Sequence, residues 1–154
     1  MVILALFFNT CVDAPRNLVK REAQNSSDSG ICQKPVDLVL ALDSSESVGA
    51  ENWMKMINAT IKFVNQFDVR YTRFGLIQFH SSPEVPIVLS SFPDNKTLSE
   101  TIAKVYYKAG STRTDLAAMK VVEVFKAASH RKASKVAVFI LGGLSTDVYV
   151  SQGQ

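Results

Sequence analysis

The run Val36-Asp37-Leu38-Val39-Leu40-Ala41-Leu42, ending on Asp43-Ser44-Ser45-Glu46-Ser47, limits the possible folds more than any other stretch. A short, mostly apolar segment of this length fits a strand buried on both faces. It delivers a carboxylate, with hydroxyls two and four positions beyond. A helical pattern follows at once over residues 50–67. Trp53, Met56, Ile57, Ile61, Val64 and Phe67 fall at helical spacing and form one core-facing stripe.

The rest of the chain repeats the strand and helix alternation. Residues 72–79 read as a second strand. Ser81-Ser82-Pro83 is a turn, and Pro86-Ile87-Val88-Leu89 a third strand. That connection is too short for a parallel crossover, so the pair is antiparallel. Pro83 and Pro86 suit an edge. Residues 95–105 form a shorter helix with Leu98, Ile102 and Val105 inward. The hydroxyl-rich loop Ser111-Thr112-Arg113-Thr114 precedes a helix over 115–129. Its apolar positions are Leu116, Met119, Val122, Val124 and Phe125. Val136 to Leu141 is a fourth, fully apolar strand ending in Gly142-Gly143. Helical connections between strands predict an α/β, mostly parallel, Rossmann-like sheet with one antiparallel edge strand and helices on its faces. Ligands of such sheets gather at the carboxyl ends of the strands. Asp43 and Gly142 stand side by side there if the first and fourth strands are neighbours.

Length and composition set the outer bounds. The chain of 154 residues is 47% hydrophobic and carries a net charge of +3, as an ordinary single globular domain does. Its one local basic cluster, His130-Arg131-Lys132 with Lys135, lacks the interleaved aromatics of a single-strand nucleic-acid surface, so no nucleic-acid partner is expected. Cys11 and Cys32 are the only cysteines and do not have zinc-ligand spacing. Asn25, Asn58 and Asn95 each begin an Asn-x-Ser/Thr acceptor for glycosylation. The run Val2-Ile3-Leu4-Ala5-Leu6-Phe7-Phe8 is too short to span a bilayer. It reads either as a signal-peptide core lacking its basic flank, with small residues near Ala14, or as a gene-model artefact. Residues 15–30 are polar and read as a disordered linker. The division is therefore 1–31, the apolar run that is either a signal-peptide core or an artefact plus a disordered linker, and 32–154, the folded domain.

Asp43, Ser45, Ser47 and Thr112 offer oxygen ligands alone, the preference of hard cations such as Mg²⁺. One carboxylate and three hydroxyls are undercharged for such an ion. A cation there would be held loosely, with a position open to a partner's carboxylate. A hydrolase using Ser45 or Ser47 beside Asp43 is the rival reading. Neither His80 nor His130 is expected near the cluster. The chain also has no G-x-S-x-G elbow and no phosphate-binding glycine loop. The expectation is a binding module and not an enzyme.

Asp43-Ser44-Ser45-Glu46-Ser47 at the end of an apolar strand resembles the D-x-S-x-S signature of von Willebrand factor type A domains. The wider stretch VDLVLALDSSESVG carries the same resemblance. Gly110-Ser111-Thr112-Arg113-Thr114 resembles that family's second metal loop, Phe74 to Phe79 its second strand, and Ser134 to Leu141 its fourth. The resemblance implies a metal-ion-dependent adhesion site. In it Ser45, Ser47 and Thr112 ligate Mg²⁺, and Asp43 acts directly or through water. It implies a secreted module of matrix or collagen-like proteins that binds extracellular matrix or cell-surface proteins. An intracellular scaffold of the same fold is the alternative. Two departures stand out. The family's fourth strand usually ends in Thr-Asp-Gly, whereas here Gly142 stands where the carboxylate is expected, so Mg²⁺ binding should be weak. The family also continues through two more strands. The domain is therefore expected to be incomplete at its C-terminus, with an exposed edge along the fourth strand.

Overall fold

A computed structural model of the chain describes the backbone of residues 2–8 and the whole of residues 34–128 and 131–142. The elements are β1 (Val2–Phe8), β2 (Val36–Asp43), α1 (Gly49–Val64), β3 (Thr72–Phe79), β4 (Pro83–Ser90), α2 (Asn95–Ala103), α3 (Thr114–Ala127) and β5 (Ser134–Leu141). They form one five-stranded sheet in the order β1-β5-β2-β3-β4. β2 is central and parallel to both neighbours, with Asp43 opposite Phe79 on β3 and Leu42 opposite Ile140 on β5. The carboxyl ends of β2, β3 and β5 therefore share one edge. Connections leave β2 to one side while β5 lies on the other, which makes the end of β2 a topological switch point.

Two apolar layers sandwich the sheet. Leu38, Leu40 and Leu42 of β2 pack with Trp53, Met56, Leu98 and Ile102 of α1 and α2. Val39 and Ala41 point the other way, to Ala117, Val121 and Phe125 of α3. The alternation follows from the period of two along a strand. α2 starts where the Asp94 carboxylate accepts from the Thr97 amide at 2.6 Å, a side-chain N-cap.

Two expectations change. The mostly parallel sheet has its antiparallel edge strand β4 as expected, and β1 adds a second one by pairing antiparallel with β5 from Val2 opposite Leu141 to Phe8 opposite Lys135. The edge expected to be bare is covered. A short apolar run carries no local sign of the strand it pairs with. The second change concerns α3. Its buried residues are Ala117, Val121 and Phe125, while Met119 and Val122 are exposed. Apolar residues surround this helix, and the small Ala117 lets it approach the sheet, so composition misplaced the stripe. Linker residues 15–30 with Asn25, both cysteines, His130 and Asp147 lie outside the described residues.

Candidate functional site

Asp43 closes β2 at the shared carboxyl edge and is 3% exposed. Its Oδ1 accepts from the Ser45 amide at 2.9 Å, an Asx-type turn that swings the chain away from the sheet. Ser44 is fully buried, and its amide donates to the Phe79 carbonyl, fastening the turn to β3. Ser45 is buried and Ser47 exposed, their hydroxyls 3.0 Å apart. Three of the four expected residues thus sit in one turn.

Thr112 comes from the loop between α2 and α3, and long-range hydrogen bonds bring that loop here. The Glu46 amide donates to the Gly110 carbonyl at 2.8 Å, and the Tyr107 hydroxyl to the Ser45 carbonyl at 3.0 Å. Farther back, the Trp53 indole donates to the Val105 carbonyl and the Gln78 amide to the Tyr106 carbonyl. Gly110 permits the closeness, since a Cβ there would stand 2.7 Å from Ser81 Oγ. Thr112 itself is exposed, and among the described residues no hydrogen bond ties it to Asp43, Ser45 or Ser47. Trp53, Gln78 and Tyr107 are the positioning residues that sequence reasoning missed. Gln78 carried a signal, as an amide inside an apolar strand that needs a buried partner.

The electrostatics leave one buried carboxylate at the turn. Asp115, the next acid along the Thr112 loop, is held down to about 2 chiefly by hydrogen bonds from the Arg113 guanidinium, so that charge is already paired. Glu84 on β4 lies below its usual range because Lys108 donates to it, and Lys108 is raised in turn. His80 is nearer than expected. Phe79 lies opposite Asp43, so the next residue stands at the same edge. Its Nε2, however, is 3.4 Å from Glu84. Among the described residues the hydroxyl of Ser45 meets only that of Ser47. A serine nucleophile needs a base within hydrogen-bond reach, and none stands there among the described residues.

Gly142 follows β5 beside this turn. A Cβ built on it would lie 2.2 Å from Val48 Cγ2. The place where a second carboxylate is expected is thus filled by a valine methyl. The donor set of Asp43, Ser45, Ser47 and Thr112 fits a loosely held hard cation and does not fit a tight one. Among the described residues no group of three or more His, Cys, Asp or Glu side chains could hold a metal, and no helix is long and apolar enough to cross a membrane.

The glycosylation acceptors fall differently. Asn58 is exposed on α1, although the Thr60 hydroxyl of its triplet is buried and donates to the Met56 carbonyl. Asn95 opens α2, and its amide donates to the Phe67 carbonyl.

Comparison with known proteins agrees with this architecture. The family model for the von Willebrand factor type A domain matches residues 37–153. The human collagen alpha-1(XXI) chain is 30% identical over 115 residues, covering 73% of this chain and 12% of that protein. The collagen alpha-1(XII) chain of Notophthalmus viridescens is 27% identical over 147 residues, covering 92% and 15%. Matrilin-3 of Gallus gallus is 29% identical over 94 residues, covering 60% and 21%. The chain therefore spans between 12% and 21% of the length of these relatives. Among solved structures, an uncharacterized membrane spanning protein from Vibrio fischeri matches with a TM-score of 0.55 and 17% identity, covering 64% of this chain and 53% of that one. The three N-terminal domains of the type V pili tip protein Mfa5 from Porphyromonas gingivalis give 0.52 and 19%, covering 65% and 18%. These two likenesses bear on the fold alone. The matched span runs from the start of β2 past the end of β5 and takes in both loops at the sheet edge, and on that match the chain belongs to the von Willebrand factor type A domain family.

Proposed function

We propose that this chain is a protein-recognition module of the extracellular matrix type. Its partner, a matrix or cell-surface protein, is engaged through the loops at the carboxyl edge of β2, β3 and β5. The observation that carries the reading is the rigid presentation of exposed Ser47 and Thr112. Half-buried Tyr107 ties the two loops together, and buried Trp53 and Gln78 fasten the segment leading to Thr112 to α1 and β3. A scaffold that fixes exposed loops is the usual basis of recognition. Collagen and matrilin relatives support a matrix setting and secretion. Exposed Asn58 supports a glycoprotein. The expected test result is recovery of the chain from the culture medium of secreting cells and saturable binding to immobilised matrix proteins. Ser47→Arg should lower that binding at least tenfold with an unchanged circular dichroism spectrum. Equal binding by that variant would remove the loops from the interface.

A cation, where bound, would be held by Ser45, Ser47 and Thr112 with help from Asp43. It would supply an open coordination position for a partner carboxylate. With one carboxylate in the set, that contribution is small. Titration calorimetry with Mg²⁺ or Mn²⁺ should show no micromolar binding, and a micromolar dissociation constant would refute this. Gly142→Asp combined with Val48→Ala restores a carboxylate and the room for it. That pair should tighten Mg²⁺ binding by about tenfold or more, the effect of roughly 1.4 kcal/mol. Gly142→Asp alone must displace Val48 and should gain less.

A further inference from the structure

The opposite end of the sheet carries a charge pattern that the loop cluster does not use. At the amino ends of the three central strands, Asp37 of β2 lies between Arg73 of β3 and Lys135 of β5 in register. Asp37 is fully buried, and its carboxylate takes both hydrogen bonds of the Arg73 guanidinium, at 2.7 and 2.6 Å. Arg131 approaches the same carboxylate at 3.8 Å and donates to the Tyr71 carbonyl. One buried anion is thus shared by two guanidiniums, with Lys135 next to it on the neighbouring strand. Lys34 and Lys132, both exposed, flank the paired residues Val36 and Ser134, on strands about 5 Å apart. Lys126, exposed in the last turn of α3, adds to the same end. Among the described residues no carboxylate lies within ion-pair distance of Lys34, Lys126, Lys132 or Lys135. The nearby acid Asp68 is spent on Arg70. Toward the other end Glu84 and Asp115 are paired with Lys108 and Arg113, which leaves Asp43 and Glu46 as the acids there without an ion pair among the described residues.

We infer that this basic end is a second binding surface, for a linear sulfated polysaccharide. Buried Asp37 fixes Arg73 and Arg131 in place without cancelling the field, and Lys34, Lys132 and Lys135 supply mobile point charges. Such an array suits repeated sulfates spaced along a flexible chain, through contacts that release counterions. It is poorly suited to reading nucleic acid. The aromatic ring beside it, Tyr71, is covered by the Arg70 guanidinium 5.7 Å from its centroid and offers no stacking platform. The choice of polysaccharide rests on the extracellular reading above.

Heparin is the probe. The full chain should bind immobilised heparin with a log affinity that falls linearly with log salt. Lys34→Glu/Lys132→Glu should lower affinity at physiological salt at least tenfold and make that slope shallower by about 2, one per lost contact. Lys55→Glu/Lys104→Glu, which changes net charge equally on exposed sites elsewhere, should change affinity far less. Equal losses from the two double variants would mean net charge alone is read, and would overturn the site. Better displacement by duplex DNA than by free heparin at equal charge would overturn the choice of partner. Ser47→Arg should leave heparin binding intact, so failure of the protein-recognition reading and failure of this one are separable.

Discussion

Asp37→Ala should cost about 3–5 kcal/mol of unfolding free energy, because it removes the buried anion shared by two partly buried guanidiniums. Arg73 would keep only the Ala128 carbonyl, at 3.4 Å, as a side-chain partner. Its side chain is 16% exposed, so water cannot fully replace the lost carboxylate. Chemical denaturation should show a lower midpoint with an unchanged slope. Asp37→Asn keeps the shape and an acceptor oxygen and should fall between wild type and Ala. Asp68, whose bond to Arg70 has similar geometry on an exposed site, should matter far less when changed to Asn, since water screens such pairs. A loss below about 1 kcal/mol for Asp37→Ala would show that the buried pair does not hold the lower end of the sheet.

Trp53→Ala should be comparably severe, at about 3–5 kcal/mol. The indole is 1% exposed within the layer that joins α1 and α2 to the sheet. For a domain of this size the loss lowers the melting temperature by roughly 10–25 °C. Trp53→Phe separates two roles. It retains an aromatic ring in the core but withdraws the bond to the Val105 carbonyl, leaving an unpaired acceptor at a cost of about 1–3 kcal/mol. Val105 begins the segment that runs through Tyr107 and Gly110 to Thr112. Amide hydrogen exchange over residues 105–112 should therefore rise in Trp53→Phe more than elsewhere. If exchange rises uniformly, the indole acts on global stability alone, and the loop is positioned by Gln78 and Tyr107.

Much of this architecture is legible in the local pattern of the chain. The strands β2 to β5 and the helices α1 to α3 announce themselves through their periods. The turn Asp43-Ser45-Ser47 is contiguous, so its grouping is a matter of sequence neighbours. Thr112 lies far along the chain from that turn, and the structure brings its loop alongside by the bond from Glu46 to Gly110. Bonds from side chains to distant carbonyls leave no periodic trace, so Trp53 and Tyr107 read as ordinary core aromatics. His80 is a related case. Its place at the shared edge depends on the register of β2 with β3, which the local pattern does not state.

Sequence alone determined where the chain turns from strand to helix, which faces of α1 and α2 are apolar, and that Asp43 ends a buried strand. Those facts follow from backbone geometry repeated every two or 3.6 residues. Only the tertiary structure decided that β1 covers β5, that Ala117, Val121 and Phe125 seat α3, and that Val48 occupies the space beside Gly142. It likewise decided that Asp37 is the shared counterion of Arg73 and Arg131. Each of these depends on which surfaces meet across long stretches of chain. That choice is made by close packing and by the requirement that buried polar groups find partners, and neither has a local signature.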